Sequence, residues 1–548
     1  MASICIVPLN ARLMKMPAGR VDERERSPPN PAPTLVDCAA LVHPTVKSTL
    51  RRRSSASIIP ILFASDPNTM PNHALSDLLA RLDFAWRREP AKPGPLDNIQ
   101  WRANACDAGS ILFFQRFDDG RTDAEIIERY LVDSACAVLV TNRMIEGVER
   151  LPGKGIYVTH PGDWAAVVGR FCDCVYPLDT DGTVFLGVTG TNGKTTTVKY
   201  LEAILSAHGR PVLSVGTLGL SLAGEPLVNT GFTSPPLIEL RRLLHAHRDR
   251  YAVVAMEVSS HALDQGRAHG IPLLNAAWTN FTQDHLDYHG GEAAYFAAKA
   301  RILDMIADGG RLYTTSSDVA ERLRENGQPR VPVEALPAAT LGAEALAAKP
   351  FLALAHNRRN YALAVALADG ILGPGAREDW RHLSAVDGRF ECRVVGNRTL
   401  VVDFAHTPDA LETILSAIRD AFPRARVATL FGCGGDRDRF KRPLMGEAVA
   451  RHSDHTIVTS DNPRFEDPER IIADILTGMP EAGREVVIER PLAIARLLDF
   501  LAERPEDEPW VALVAGKGHE RYLDAKGHKS PYSDQDEIER NLIRLGWV

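Results

Sequence analysis

The sequence contains little from which a membrane-spanning, secreted or nucleic-acid-binding protein is built. No uninterrupted apolar run reaches the ~18 residues that a membrane-spanning helix needs. Eight cysteines are scattered through 548 residues, which is not a disulfide framework, and Cys172-Asp-Cys174 lacks the second pair that a zinc site requires. The net charge is −7, so the basic face typical of nucleic-acid binding is not expected. These absences favour a cytoplasmic protein with reduced thiols.

Two signatures of nucleotide-binding proteins are also absent. No Asn-Lys-x-Asp segment, the guanine motif of switch GTPases, occurs in the chain. Gly432-Cys-Gly434 begins like a dinucleotide fingerprint, but Arg437 occupies the position of its third glycine. We therefore expect neither a switch GTPase nor an NAD site.

The length implies three or four domains at ~150 residues each. Residues 1–75 are rich in Pro, Ser and Arg without periodicity, so we expect a disordered or spurious extension. Residues 76–178 indicate a small α/β unit with strands at 111–114 and 137–140, and 179–388 form a central block. In 389–548, strands and helices alternate regularly, which predicts a mostly parallel, doubly wound sheet.

The strongest local signal is the segment from 184 to 205. A short apolar run at 184–188 precedes Gly190 and Gly193, and Lys194-Thr195 opens a stretch with apolar residues at helical spacing. Glycines let backbone N–H groups approach a polyphosphate, and the helix N-terminus adds partial positive charge. The strict motif has a glycine where this chain has Val188. We interpret the segment as a phosphate-binding loop, the alternative being an ordinary turn.

A carboxylate follows the next buried strand along the chain. The apolar run at 251–256 ends in Glu257, and strand ends beside a phosphate loop are where an open α/β sheet places its ligand groups. A carboxylate oxygen suits magnesium. A buried salt bridge is the alternative role for Glu257.

Several motifs, in order along the chain, resemble the Mur ligases, ATP-dependent enzymes that form amide bonds in peptidoglycan synthesis, and above all the MurE type, which adds the third amino acid. The motifs are Gly190-Thr-Asn-Gly-Lys-Thr195, Glu257-Val-Ser-Ser-His261, Thr279-Asn-Phe-Thr-Gln-Asp-His-Leu-Asp-Tyr-His-Gly290, Ala298-Lys-Ala-Arg301, Asp403-Phe-Ala-His-Thr-Pro-Asp409, Phe431-Gly-Cys-Gly-Gly-Asp-Arg-Asp438, Asp461-Asn-Pro-Arg464 and Ala515-Gly-Lys-Gly-His-Glu520. The resemblance implies an α/β fold in three domains. These are a divergent, nucleotide-sugar-binding-like N-terminal domain at 76–178, a central phosphate-loop ATPase domain that binds ATP at 179–388, and a C-terminal doubly wound, dinucleotide-fold-like domain that binds the amino acid at 389–548.

The resemblance also implies a reaction and its cofactors. A donor carboxylate attacks the γ-phosphate of ATP to give an acyl phosphate, and an amine then displaces phosphate. ATP and Mg²⁺ are the expected cofactors, because both anionic reactants need cations to screen them. The implied ATP-binding residues are Gly190, Thr191, Asn192, Gly193, Lys194, Thr195, Thr196, Asn357, Asn360, Arg389 and Asp403.

The implied catalytic residues are Lys194, Glu257, His285, Lys299 and His406. Thr195, Glu257, His285 and Lys299 are the expected metal ligands. Lys299 falls in a predicted helix over 293–306 and, taken alone, is an ordinary solvated lysine. The resemblance implies that Lys299 is carbamoylated and so becomes an anion. His285 has a helix-capping role as its alternative.

The acceptor amino acid is expected in the last domain. The implied set is Arg437, Asp461, Asn462, Pro463, Arg464, Gly516 and Glu520. Asp461-Asn-Pro-Arg464 is the form associated with meso-diaminopimelate, whose distal carboxylate an arginine fork can pair bidentately. L-lysine offers only an amine, which Arg464 would repel. A plain turn is the alternative, since Asp-Asn-Pro is good turn chemistry.

The donor end is less regular. Thr233, Ser234, Ser259, Gln265 and Arg267 match residues that hold the muramoyl-peptide. The Ser-Arg pair that binds uridine in MurE is absent from the segment at 102–108. A different, non-UDP carboxylate therefore stays open as the donor, and a non-catalytic nucleotide-binding subunit is a further alternative. We expect small-molecule substrates, no nucleic acid, no membrane span and a monomer.

Overall fold

The computed structural model describes residues 74–548, except positions 93, 119, 328 and 375–379. The predicted extension at 1–75 therefore lies outside the described residues, apart from Ala74 and Leu75, which begin the first helix. Within the described part, no helix is both long and apolar enough to cross a membrane. The described cysteines are free thiols, as expected.

The N-terminal part is a five-stranded sheet in the order β1-β5-β4-β3-β2, with only β1 antiparallel to its neighbour. Apolar side chains of β3, β4 and β5 pack against the segment around Ile126 and Leu131. The predicted strands at 111–114 and 137–140 correspond to β3 and β4. The elements are α1 Ala74–Arg81, β1 Trp86–Arg88, β2 Asn98–Gln100, β3 Ser110–Phe114, α2 Asp123–Ile126, β4 Val138–Thr141, β5 Gly155–Val158 and α3 Trp164–Val175.

The central part is an eight-stranded sheet in the order β13-β12-β11-β6-β10-β7-β8-β9. The strands from β13 to β7 are parallel, and β8 and β9 add an antiparallel edge. One face packs against α5 and α8, and the other against α4 and α12. The strands are β6 Val184–Thr189, β7 Val212–Gly216, β8 Gly219–Leu222, β9 Glu225–Val228, β10 Val253–Glu257, β11 Asn275–Trp278, β12 Leu312–Thr314 and β13 Val333–Ala335.

The helices of the central part are α4 Lys194–Ala207, α5 Leu237–Ala246, α6 Ser260–Asp264, α7 Leu286–His289, α8 Glu292–Ala300, α9 Ile302–Met305, α10 Ser317–Glu325, α11 Ala343–Ala348 and α12 Ala355–Leu372. The prediction of a single helix over 293–306 is wrong, because the helix is interrupted at Arg301, between α8 and α9. The backbone of Arg301 (φ −59°, ψ −15°) tightens this turn toward the 3₁₀ geometry that commonly ends α-helices.

The C-terminal part is a six-stranded sheet in the order β14-β15-β19-β16-β17-β18, parallel except for the edge strand β14. Its two faces carry separate apolar cores, against α13–α15 and against α16–α17. The sheet is therefore doubly wound, as the alternation predicted. The elements are β14 Glu391–Val395, β15 Arg398–Asp403, α13 Pro408–Ala421, β16 Arg426–Phe431, α14 Lys441–His452, β17 His455–Val458, α15 Pro468–Leu476, β18 Arg484–Val486, α16 Arg490–Ala502, β19 Trp510–Ala515, β20 Tyr522–Ala525, β21 His528–Pro531 and α17 Asp534–Arg544.

Candidate active site

The predicted phosphate loop connects β6, which is apolar and buried, with the N-terminus of α4. Gly190 (φ +136°) and Gly193 (φ +85°) have backbone conformations that favour glycine. A Cβ atom at Gly190 would lie 1.9 Å from Oγ1 of Thr279, and one at Gly193 would lie 2.5 Å from Oδ1 of Asn360. The loop is therefore held against β11 and α12 as closely as its glycines allow.

Two lysines contact the same carbonyl group of this loop. Nζ of Lys194 donates to the carbonyls of Gly190 (2.9 Å) and Thr191 (2.8 Å). Nζ of Lys299 donates to the Gly190 carbonyl at 2.8 Å, and the residue is 1% exposed, so it is not a solvated lysine. Burial, and then the charge of Lys194, hold the pKa of Lys299 well below its ordinary value. Burial also lowers the pKa of Lys194.

Glu257 lies at the end of β10, next to β6, and is 1% exposed. Its Oε1 accepts from the backbone N–H of Thr217 at 2.8 Å, and its Oε2 accepts from the Thr217 hydroxyl at 3.1 Å. That hydroxyl lies 3.0 Å from Oγ1 of Thr233. The loop after β7 thus orients the carboxylate, and no arginine or lysine forms a salt bridge with it among the ion pairs of the described residues.

A second cluster surrounds Asp284, which is buried. Its carboxylate lies 3.4 Å from Nε2 of His285 and 3.6 Å from Nζ of Lys441. Although burial opposes the shift, the nearby His285, Lys441 and His406 hold the pKa of Asp284 far below its usual range. Burial in turn lowers the pKa values of His285 and His406. His285 (φ +54°) immediately precedes α7 and so occupies the capping position of that helix. The same residue lies beside the Asp284 carboxylate.

Arg389 and Asp403 lie where the C-terminal sheet meets the phosphate loop. Nη2 of Arg389 is 3.4 Å from Oγ1 of Thr195. Both carboxylate oxygens of Asp403 accept backbone N–H groups at 2.7 Å, from Phe390 and Ala405. Burial raises the pKa of Asp403. Asp403 therefore fixes the backbone that carries Arg389.

Asn357 and Asn360, two of the predicted ATP-binding residues, lie on α12. Nδ2 of Asn357 donates to the carbonyl of Phe351 at 2.9 Å, and Asn360 contacts the loop at Gly193. His356 lies beside them, and burial lowers its pKa to about 4, so its ring is neutral at physiological pH. Sequence reasoning did not select His356, although it is the residue before Asn357.

The acceptor set lies on the loops that follow β16, β17 and β19. Nδ2 of Asn462 donates to Glu520 at 2.8 Å, and Gly516 (φ +113°) leaves no room for a Cβ, which would lie 2.6 Å from Asp461. The φ of Arg464 is +49°, and its Nη1 donates to a carbonyl of the loop after β16 at 2.6 Å. Burial, and then the charge of Arg464, lower the pKa of Arg437. Two guanidinium groups therefore face one region.

Hydrogen bonds and ion pairs join the two sheets across the site. Oδ2 of Asp409, at the N-terminus of α13, accepts from Nδ2 of Asn192 at 3.1 Å and from the Thr282 hydroxyl at 3.4 Å. The Asp284–Lys441 ion pair is a second link between the sheets. Asp284, Asp409 and Lys441 were not predicted as site residues. The first two stand inside motifs that the sequence showed, so a signal was present for them.

One cavity of about 540 Å³ connects these groups. Most of the predicted site residues border it: Thr191, Asn192, Gly193, Lys194, Thr195, Thr196, Thr233, Glu257, His285, Asn357, Asn360, Arg389, Asp403, His406, Arg437, Asp461, Asn462, Arg464, Gly516 and Glu520. Gly190 and Lys299 do not border the cavity, and the Gly190 carbonyl accepts from Nζ of Lys299. Pro463 does not border the cavity either; its carbonyl accepts from the backbone of Glu466.

The remaining predicted donor residues lie beside this cavity, linked in a chain. The Ser234 hydroxyl donates to the Glu257 carbonyl at 2.8 Å, and the Ser259 hydroxyl caps α6. Nη1 of Arg267 donates to the Ser234 carbonyl at 2.9 Å, and its Nε donates to Gln265 at 2.8 Å. The chain leads from the backbone carbonyl of Glu257 to a second cavity, which Gln265 and Arg267 border.

The second cavity, of about 670 Å³, lies between the N-terminal sheet and α5. Its walls are largely aromatic, with arginines among them. The ring centroids of Trp101 and Phe232 are 5.9 Å apart, and the guanidinium of Arg102 lies 4.5 Å from the Trp101 centroid. Other bordering residues are Phe113, Phe114, Arg121, Arg129, Tyr130 and Trp164. None of these side chains is among the predicted donor residues, although Arg121 matches the arginine of the family's Asp-Gly-Arg motif.

Comparison with known proteins agrees with this geometry. A model of the Mur ligase middle domain matches residues 188–364, and a model of the Mur ligase glutamate ligase domain matches residues 388–518. The UDP-N-acetylmuramoyl-L-alanyl-D-glutamate–2,6-diaminopimelate ligase of Neisseria meningitidis is 37% identical over 423 residues, which cover 72% of this chain and 84% of that protein. The chain belongs to the Mur ligase family.

Further similarities extend along this Mur ligase. The ligase of the same name from Ralstonia nicotianae is 38% identical over 405 residues, covering 67% of this chain and 77% of that protein. A solved structure of such a diaminopimelate ligase is 25% identical, has a TM-score of 0.50, and covers 82% of this chain and 96% of that one. The predicted three-domain architecture and ATP-dependent, ADP-forming ligase chemistry are therefore confirmed.

Proposed function

We propose that this enzyme uses ATP to join meso-diaminopimelate to UDP-N-acetylmuramoyl-L-alanyl-D-glutamate, a step of peptidoglycan precursor synthesis. One observation carries the proposal: a single cavity brings the phosphate loop of the central sheet together with the acceptor set of the C-terminal sheet. Relatives that are 35–38% identical bear the name of that activity.

The groups around the cavity suit the chemistry in order. A donor carboxylate oxygen attacks the γ-phosphorus of ATP and ADP leaves; the acceptor amine then attacks the acyl carbon, and phosphate leaves. Lys194, Arg389 and Lys441 provide the positive charge that these anions need. Asp284, next to Lys441, keeps that lysine in place at the junction.

Two of the four predicted metal ligands, Thr195 and Glu257, suit magnesium in their unmodified form. No group of three acidic, histidine or cysteine side chains able to hold a metal occurs in the described part of the chain. A nucleotide-bound magnesium needs only one or two protein oxygens besides phosphates and waters. The Thr195 hydroxyl and the Glu257 carboxylate would hold it. When bound, magnesium supplies charge that stabilises the phosphates during transfer.

Lys299 fits the site best as a carbamate. Two ammonium groups that share the Gly190 carbonyl repel each other, and the lowered pKa of Lys299 favours its neutral amine. A neutral amine adds to CO₂ to give a carbamate and releases one proton. The resulting anion would pair with Lys194 and would make Lys299 a metal ligand. His285 would then bind a second metal ion.

The second cavity supports a nucleotide-linked donor. A nucleobase stacks on aromatic faces whatever its sequence context, and arginines bind pyrophosphate. Trp101, Tyr130 and Phe232 provide such faces, and Arg102 and Arg121 lie at the same wall. The chain of contacts through Arg267 and Ser234 leads from this cavity to Glu257.

A non-UDP carboxylate stays the second candidate donor, because the uridine-binding Ser-Arg pair is missing from the segment at 102–108. Phosphate release with purified enzyme, ATP and diaminopimelate distinguishes the two candidates. The panel contains the UDP-linked dipeptide, the same muramoyl-dipeptide without UDP, and the free dipeptide. We expect release with the UDP-linked donor alone. Equal release with the donor that lacks UDP would favour the second candidate.

We also propose a monomeric, cytoplasmic enzyme with domain boundaries near 178 and 388. The model of the middle domain begins at residue 188 and that of the glutamate ligase domain at residue 388, which supports the two boundaries. Light scattering after gel filtration tests the monomer, with and without ATP.

A further inference from the structure

Lys517 is a fully buried lysine between the sheet and the acceptor side of the cavity. It follows β19 and Gly516 in the chain and is 0% exposed. It does not border the cavity, whereas Asn462, Glu520 and Tyr522 do. A lysine is almost never fully buried unless it is paired, so its partners show what it does.

The ammonium of Lys517 donates two hydrogen bonds, to Glu520 and Asn462, and forms a longer ion pair with Asp461. Nζ is 2.9 Å from Oε2 of Glu520, 3.0 Å from Oδ1 of Asn462 and 3.9 Å from Oδ1 of Asp461. Each of these residues belongs to the predicted acceptor set, and each borders the cavity. Lys517 thus lies behind the acceptor set and contacts three of its members at once.

These contacts determine how the cavity-facing groups are oriented. Oδ1 of Asn462 accepts from Lys517 and from the backbone N–H of Asp524 at 2.9 Å, which turns its Nδ2 toward Glu520. Oε2 of Glu520 accepts from both Lys517 and Asn462. Its Oε1 has one contact, with the Tyr522 hydroxyl at 3.3 Å. One carboxylate oxygen is therefore held, and the other is presented to the cavity.

We propose that Lys517 is a positioning residue for acceptor selection: it holds Glu520 and Asn462 in the orientation that binds the distal ammonium group of the acceptor. This inference rests on the proposed function. The acceptor's distal carboxylate then lies toward Arg464 and Arg437, whose charges face the same region. The zwitterionic end of diaminopimelate thus meets carboxylates on one side and guanidinium groups on the other.

A double-mutant cycle tests this role. Lys517→Met, Glu520→Gln and the double variant are compared by kcat/KM for diaminopimelate and by KM for ATP. Each single change should lower kcat/KM for diaminopimelate about 30–300-fold, with KM for ATP within about threefold of wild type. The double variant should be no worse than Glu520→Gln, because a residue that acts through another shows non-additive effects. Lys526→Met, at an exposed lysine of the β20–β21 turn, is the matched control.

A second measurement distinguishes the proposed role of Lys517 from misfolding of the Lys517→Met variant. The double variant removes both charges of the Lys517–Glu520 pair, so neither is left buried without the other. The probe 2-aminopimelate lacks the distal amine. Wild type should prefer diaminopimelate over 2-aminopimelate strongly, and the double variant should use both about equally. Three results would overturn the role of Lys517 alone. They are additive losses of kcat/KM in the double variant, a change in KM for ATP as large as that in kcat/KM for diaminopimelate, and a double variant that keeps the wild-type preference. A wild type that does not use diaminopimelate would overturn the proposed function as well.

Discussion

The two cavities of this enzyme are built differently. The cavity of the phosphate loop is bordered by charged and amide groups, each fixed by hydrogen bonds, as Glu257 is by Thr217 and Asn462 is by Lys517. The second cavity is bordered by aromatic rings, such as those of Trp101 and Phe232, which meet edge to face with centroids 5.9 Å apart. Phosphoryl transfer needs individual atoms at fixed positions, whereas stacking needs only a ring face. The first kind of wall restricts residue identity, and the second tolerates replacement.

Loss of the phosphate-loop cation should give the largest effect. Lys194→Ala removes an ammonium group that we expect on the transferred phosphate, so turnover should fall about 10²–10³-fold. Steady-state phosphate release at saturating ATP measures it, and circular dichroism verifies the fold. Lys526→Met is the control at an exposed lysine. Turnover near that of wild type would remove the phosphate-loop assignment.

The acceptor side should show the next largest effect, on selectivity. Wild type should use meso-diaminopimelate at least a few hundredfold better than L-lysine, because a charged group left half-paired costs about 3–5 kcal/mol. Arg464→Ala should remove most of this preference and leave ATP binding unchanged. The kcat/KM values for both amino acids in both proteins measure it. If wild type uses lysine equally well, the segment at 461–464 is only a turn.

The buried lysine beneath the loop comes third. Lys299→Ala should lower activity about 10–100-fold, as the loss of a group that supports a metal site does, and added acetate should restore part of it. Activity with and without acetate measures it, with Lys299→Met as a variant too long for rescue. An active enzyme whose intact mass shows no carbamate would contradict this prediction.

A smaller effect is expected in the second cavity, whose aromatic wall contrasts with the polar wall of the phosphate-loop cavity. Trp101→Ala should raise KM for the UDP-linked donor about 10-fold, because stacking of one base is worth about 1–3 kcal/mol. KM for ATP should not change. Trp101→Phe keeps a ring and should remain close to wild type. If both variants behave alike, the aromatic wall does not bind the base.

The smallest effect concerns acid stability around the first cavity. Burial lowers the pKa of His519 to about 3 and that of His356 to about 4. Above pH 6.5 both are neutral whether the protein is folded or unfolded. As the pH falls below 6.5, the unfolded chain binds protons that the folded chain excludes, so stability decreases by at most about 1.4 kcal/mol per pH unit for each histidine. His519→Phe should reduce the fall in Tm between pH 7.5 and 5.0, and His160→Gln, at a half-exposed ring, should not. An unchanged fall in the phenylalanine variant would contradict this.

The sequence predicted best what local patterns encode. The loop glycines, the strand before Glu257 and the alternation after residue 389 are all read within short windows, and the structure has each of them. The break at Arg301 and the burial of Lys299 were not foreseen, because helical spacing does not report a turn tightened by tertiary packing.

The missed contacts join distant parts of the chain. Glu257 meets Thr217 across 40 residues, and Asn192 meets Asp409 across 217. Trp101, which follows β2, meets Phe232 in the loop between β9 and α5. No periodicity connects such positions. The roles of Thr217, Lys441 and Lys517 therefore became visible only once the strand order was known.

The hydrogen bonds of Asp409 have a thermodynamic consequence for the whole catalytic cycle. They join the loop that receives the nucleotide to the sheet that offers the acceptor, so the positions of the two are interdependent. Linkage is reciprocal: the factor by which a bound nucleotide changes acceptor affinity equals the factor by which acceptor changes nucleotide affinity. Acceptor affinity is then a joint property of both sheets, and it takes one value with an empty loop and another with a filled one.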